Sequence, residues 1–134
     1  MNSSLITFGR IMLGLFFVAS GVLKFIGVTD AGGLAPLSDF IAAHGLPVPK
    51  IIAALVIAFE IIAGLAIVLG RYTAPAGLLL AAFCVVTALI FHRFWTVPLD
   101  QLTGQLYHFM KNIGLAGAFL MVAGEGIRAR LGQA

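Results

Sequence analysis

Residues 72–91 read YTAPAGLLLAAFCVVTALIF, twenty residues without a charge. At the rise of an α-helix such a run is ~30 Å long, the thickness of a bilayer's hydrocarbon core. Thr73 can cap its start and Pro75 suits the first turn. This stretch reads as a membrane span. Three further segments are as long, but each carries charge. The expected spans are thus about 5–27, 50–70, 73–92 and 106–127, in one transmembrane domain over 1–134. The fold class expected is all-α, an integral membrane four-helix bundle.

Composition agrees. Of 134 residues 61% are hydrophobic and 10% charged, and mean hydropathy is +1.11. Soluble domains are nearer 45–50% apolar and about 25% charged. A soluble enzyme and a nucleic-acid-binding domain are therefore excluded as readings. The net charge of +3 forms no basic cluster, since the Lys and Arg residues lie scattered at span flanks. The single cysteine, Cys84, can form neither an internal disulfide nor a CxxC pair. It sits in the most apolar stretch and reads as an inert buried thiol. Val18-Ala19-Ser20-Gly21 has the small residues of a signal cleavage site, but no cation precedes the apolar run until Arg10, and the run continues to Ile26. It reads as a retained span.

The connections differ in length. Gly70-Arg71-Tyr72-Thr73 is a tight turn between spans two and three, and residues 93–105 join spans three and four. The first connection, about 28–49, is the longest. Within it residues 38–44 suit a short interfacial helix between spans one and two, capped by Ser38 and stopped by Gly45 and Pro47. Lys/Arg counts in the flanks, three against two, favour both termini in the cytoplasm.

Charges within spans are the candidates for function. Glu60 follows nine uncharged residues and precedes ten, which puts it ~15 Å from either end of its span. A charge there costs about 2.5–3.5 kcal/mol on insertion scales and normally faces the protein interior with a partner. Ala53, Ile57, Glu60, Gly64, Ile67 and Arg71 recur in alternating steps of four and three, a single heptad stripe. Arg10, Gly14, Phe17, Gly21 and Lys24 repeat the pattern in span one. Gly14, Gly21, Gly64 and, in span four, Gly117 are the expected helix-packing positions. Arg10 is expected to snorkel toward the terminal side and Lys24 toward the opposite side. Lys111 and Asn112 begin span four on the Lys24 side. Glu60, Lys24 and Lys111 are expected to converge on one polar pocket, with Arg10 the competing partner of Glu60. Two readings stay open: an ion pair that only sets helix register, or a ligand or proton site.

Phe91-His92-Arg93-Phe94-Trp95 closes span three. It reads either as an interfacial aromatic belt or as a pocket mouth lined by His92 and Trp95. His44 and His108 fall on the same side, but no helix carries an HxxxH or ExxH pair, so no metal site is expected. GxSxG, P-loop, HExxH and dinucleotide motifs are absent from the sequence.

Taken in order, Arg10, Gly14, Phe16, Gly21 and Lys24-Phe25, then Gly45-Leu46-Pro47-Val48-Pro49, then Glu60, Gly64 and Gly70, then Phe91-His92, Phe94-Trp95 and Lys111-Asn112, resemble the DoxX family of the broader DoxX/DoxD-like group. The resemblance implies a four-helix bundle in the bacterial inner membrane. The family takes its name from association with a thiosulfate:quinone oxidoreductase, and some relatives are thought to serve membrane redox complexes. It thus implies a subunit or accessory of a quinone-linked redox system, with quinone as the cofactor to consider. The alternatives are a non-catalytic assembly protein and, last, a small oligomeric transporter. The partners implied are the lipid bilayer, redox-complex proteins or a second copy of the chain, and no nucleic acid.

Overall fold

The computed structural model describes residues 3–27 and 33–132. Among these there is no strand, and five α-helices follow one another: α1 Ser3–Ile26, α2 Leu34–Ala43, α3 Pro49–Leu69, α4 Thr73–Phe91 and α5 Leu99–Arg130, with a 3-10 turn at Phe94–Thr96. Four of the helices, all but α2, are long and apolar enough to cross a membrane. The short helix between spans one and two is present, while part of the connection holding it, residues 28–32, lies outside the described residues.

Two boundaries differ from the sequence reading. Helix α2 begins at Leu34, so Ser38 is not its cap but a buried residue in its middle. Pro36 does not prevent the earlier start, because first-turn N–H groups have no intrahelical acceptor. Helix α5 begins at Leu99, directly after Pro98, instead of near residue 106. Leu99 and Leu102 extend the stripe of Leu106, Phe109, Ile113 and Ala116 back through residues 99–105. Asp100, Gln101, Thr103 and Gln105 nevertheless keep that stretch too polar to read as part of a span, and only the tolerated Gly104 works against a helix there.

The chain forms two compact units, residues 1–72 and 73–134. In the first, α1 packs on α3 and α2 packs mainly on α3. The buried residues of α1 are Gly14, Phe17 and Gly21, and those of α3 include Ala53, Ile57, Glu60, Gly64 and Ile67. These are the two heptad stripes. The glycines matter because the backbones touch. A Cβ on Gly14 would lie 2.8 Å from the Gly64 carbonyl oxygen, and one on Gly64 would lie 2.9 Å from the Gly14 oxygen. Close approach of this kind is how membrane helices gain dispersion contacts without a hydrophobic driving force. Helix α2 buries Leu37, Ser38 and Ile41, and the Gly33 N–H donates to the Lys24 carbonyl, tying its start to the end of α1.

Helix α3 ends in a Schellman motif. Gly70 is left-handed at φ 70°; its N–H reaches the Ile67 carbonyl and the Arg71 N–H reaches that of Ala66. The tight turn read from the sequence follows at once, with α4 starting at Thr73.

In the second unit α4 packs along α5. The α4 side is built of small residues, Ala74, Gly77, Ala81, Cys84 and Ala88, all buried. Their steps of three and four are as regular as those of the charged stripes, but no charge marks the face. Cys84 is fully buried, in keeping with an inert thiol. Contact glycines here are Gly77, whose Cβ would lie 2.8 Å from the Phe119 oxygen, and Gly126, whose Cβ would lie 2.7 Å from the Ala74 nitrogen. Gly117, expected at a helix contact, is not part of the α4–α5 one: a Cβ there would meet nothing within 4 Å. The buried face of α5 runs through Ala116, Phe119, Val122 and Ala123, and position 117 lies about 100° round the helix from 116.

Candidate functional site: a buried ion pair in the first unit

Glu60 is 3% exposed at the middle of α3. The ammonium of Lys24 lies 2.7 Å from each of its carboxylate oxygens and donates a third bond, also 2.7 Å, to the hydroxyl of Ser20. An ammonium has three N–H groups, so the three oxygens saturate it. Gly21 makes the approach possible, since a Cβ there would come within 3.2 Å of the Glu60 Cβ. Lys24 therefore does not snorkel away from its helix toward the near surface. It reaches back one turn, deeper into the span. Helical side chains tilt toward the helix N-terminus, and at residue 24 of α1 that direction leads inward, to the acid. Ser20 was missed in the sequence, although its place four residues before Lys24 was a usable signal.

Arg10 does not compete for Glu60. Its guanidinium donates to the carbonyls of Ile67 and Val68, the latter at 2.9 Å. The last carbonyls of a helix lack intrahelical donors and carry the negative end of the dipole. Arg10 thus caps α3, and here the N-terminal tilt of the side chain does lead toward the terminal side, as expected. Gly70 makes room for it: a Cβ there would lie 3.1 Å from three guanidinium atoms. Arg10→Ala is expected to lower stability by about 1.5–3 kcal/mol, the range for hydrogen bonds to charged groups. Gly70→Ala is expected to cost about 1–2 kcal/mol through its left-handed backbone. Thermal unfolding in detergent measures both, and an unchanged midpoint for Arg10→Ala removes the cap assignment.

The other candidates belong to the second unit. Lys111 is exposed on α5, and its amine has no hydrogen-bond or ion-pair partner among the described residues. Asn112 turns back on its own helix, its amide donating 3.0 Å to the His108 carbonyl. His92 and His108 come together with ring centroids 5.0 Å apart. His92 Nδ1 lies 3.0 Å from Gln105 Oε1. Trp95 packs edge-on against Phe94 and Phe109, at 5.0 and 5.9 Å. No group of three or more metal-ligating residues occurs among the described residues.

Comparison with known proteins bears out the family resemblance. The DoxX family profile matches residues 5–93, which takes in α1, α2, α3, α4 and both residues of the ion pair. The chain belongs to the DoxX family. Its relatives include the Escherichia coli inner membrane protein YphA, 31% identical over 122 residues, covering 91% of this chain and 83% of that one. Another is the inner membrane protein YqjF of the same organism, 32% identical over 117 residues, covering 87% of this chain and 80% of that one. No solved structure gives a significant match. The DoxX profile ends at Arg93, so the His108, Phe109, Lys111 and Asn112 side of the second unit lies beyond it.

Proposed function

We propose that this DoxX protein is an inner-membrane accessory subunit of a quinone-linked redox system, with both termini in the cytoplasm and no chemistry of its own. The observation that carries the last part is the closed state of the ion pair. Lys24 directs all three of its N–H groups to Ser20 and Glu60, so no donor is left to stabilise an anionic ligand oxygen. Glu60 in turn is shut off from solvent by α1 and its own helix. A saturated pair of this kind sets helix register. Family membership and the inner-membrane relatives support the location; the redox connection rests on the family resemblance.

A second reading, a quinone held by this chain itself, draws on the second unit. There Phe94, Trp95 and Phe109 present ring edges and faces beside two histidines, groups suited to stack on a planar ring and exchange its protons.

Native mass spectrometry of gently solubilised protein separates the two. The accessory reading expects a partner protein, or a second copy, and no stoichiometric quinone. It further expects a double variant, Lys24→Met with Glu60→Gln, to keep that partner once folded. Stoichiometric quinone that is lost in Trp95→Ala favours the second reading. A stable double variant that loses its partner and its function in cells makes the ion pair a chemical site and removes the accessory reading.

A further inference from the structure

We propose that His92 and His108 form a two-histidine site for a divalent transition-metal ion at the α4–α5 end of the second unit. Spacing rules for metal motifs look for ligands within one helix, and none is present. Here the two imidazoles come from different elements. His92 follows the last residue of α4, its backbone N–H still bonded to the Ala88 carbonyl. His108 stands ten residues into α5. The geometry points to a shared ion in two ways.

The first is the separation. With metal–nitrogen bonds of about 2.0–2.1 Å, two imidazoles on a tetrahedral ion have ring centroids about 5 Å apart. The observed distance is 5.0 Å, with the planes 22° apart. The rings are stacked, so their in-plane lone pairs run side by side. The outer torsion of histidine is soft, and turning the exposed His108 ring, with His92 held by Gln105, brings one of its nitrogens to a shared ion.

The second is the partner of the other nitrogen. Metal-bound histidine almost always donates its remaining N–H to an oxygen, which fixes the tautomer and makes the ligating nitrogen more basic. His92 has such an oxygen, Gln105 Oε1, at 3.0 Å from Nδ1. That leaves Nε2 as the ligating nitrogen in the proposed site.

The remaining positions fall to water, because His108 is exposed and His92 half-buried. Arg93, next to His92, and Lys111, one turn on from His108, are both exposed cations. They weaken the site, so it holds a labile ion and not a structural one. Two imidazoles without thiolate or carboxylate favour copper(II), nickel(II) or zinc over magnesium or calcium. The third histidine, His44, lies in the first unit with Nδ1 2.8 Å from the Phe40 carbonyl oxygen and serves as an internal control.

The chain carries its own reporter. Trp95 is the only tryptophan, and it packs on Phe109, the residue after His108. Titration of the purified full chain in detergent with copper(II) is expected to quench Trp95 saturably, with reversal by a chelator and competition by zinc. His92→Gln and His108→Gln are each expected to abolish the saturable phase, while His44→Gln retains it. Gln105→Leu keeps both ligands and is expected to weaken binding by about tenfold or more, as loss of an outer hydrogen bond to a ligand does. Helix content and elution volume confirm that each variant is folded. Should the histidine variants not fold, Gln105→Glu gives the test, since a carboxylate on Nδ1 is expected to tighten copper binding. Non-saturable quenching, equal quenching in all variants, loss with His44→Gln, or no response to either Gln105 substitution overturns the site.

Discussion

Gly64→Leu is expected to prevent α1 from packing on α3 and to leave no folded first unit in detergent. The reason is backbone contact. A Cβ alone on Gly64 would lie 2.9 Å from the Gly14 oxygen, the Val18 nitrogen and the Val18 Cγ2. Two of these atoms are main chain and cannot turn aside, so the helices must separate. Separation by even an ångström forfeits much of the dispersion attraction along the whole contact, and it pulls Lys24 from Glu60. For Gly64→Ala the usual cost of overpacking, about 1–3 kcal/mol, is expected. Gly14→Leu is expected to match it, because a Cβ there meets the Gly64 oxygen and the Val68 nitrogen, both at 2.8 Å. Gly9 and Gly114 supply the controls: a Cβ at either meets nothing within 4 Å. Gly9→Ala and Gly114→Ala should be neutral, or stabilising by up to about 1 kcal/mol through helix propensity. The readout is the thermal midpoint with monodisperse elution. A Gly64→Leu chain that melts with the wild type would show that the helices do not touch there.

The second large effect is an asymmetry within the ion pair. Removing Lys24 as Lys24→Met strands a carboxylate whose side chain is 4% exposed, and Glu60 is too short to reach water from the middle of α3. The loss expected is about 3 kcal/mol, on which the insertion cost of a mid-span charge and the cost of breaking a buried pair agree. Removing the acid as Glu60→Gln leaves a lysine whose side chain is 26% exposed and whose long stem can carry the ammonium to the surface. That variant is expected to lose only about 1–2 kcal/mol. The double variant should return to within about 1 kcal/mol of the wild type, since neutral groups of similar size replace buried pairs at little cost. Equal losses for the two single variants, or a double variant as weak as Lys24→Met, would mean that the pair does not carry the charge balance described here.

Much of this was legible in the sequence. The uncharged run 72–91 marks span three, and hydropathy marks the other three. The heptad stripes mark the faces of α1 and α3 that meet, because their glycines let two backbones approach and their charges in lipid need a partner within the protein. The face of α4 is equally regular but built of alanine, glycine and cysteine beside Leu80, so no charge distinguishes it from the rest of an apolar helix. Helix α5 starts before its span because Leu99 and Leu102 continue its apolar stripe, while the polar residues between them hold the hydropathy of those turns below that of a span.

What the sequence alone could not decide was which cation Glu60 holds. Arg10 and Lys24 share one stripe, and heptad spacing is the same for both. The choice came from the axial offset of α1 against α3, set by the Gly14–Gly64 backbone contact. It came also from the fixed tilt of side chains toward a helix's N-terminus, which sends Lys24 inward to the acid and Arg10 outward to the last carbonyls of α3. The meeting of His92 with His108 was likewise a tertiary result. Sixteen positions separate them, and only the turn through Phe94–Thr96 and the antiparallel course of α5 return one ring to the other.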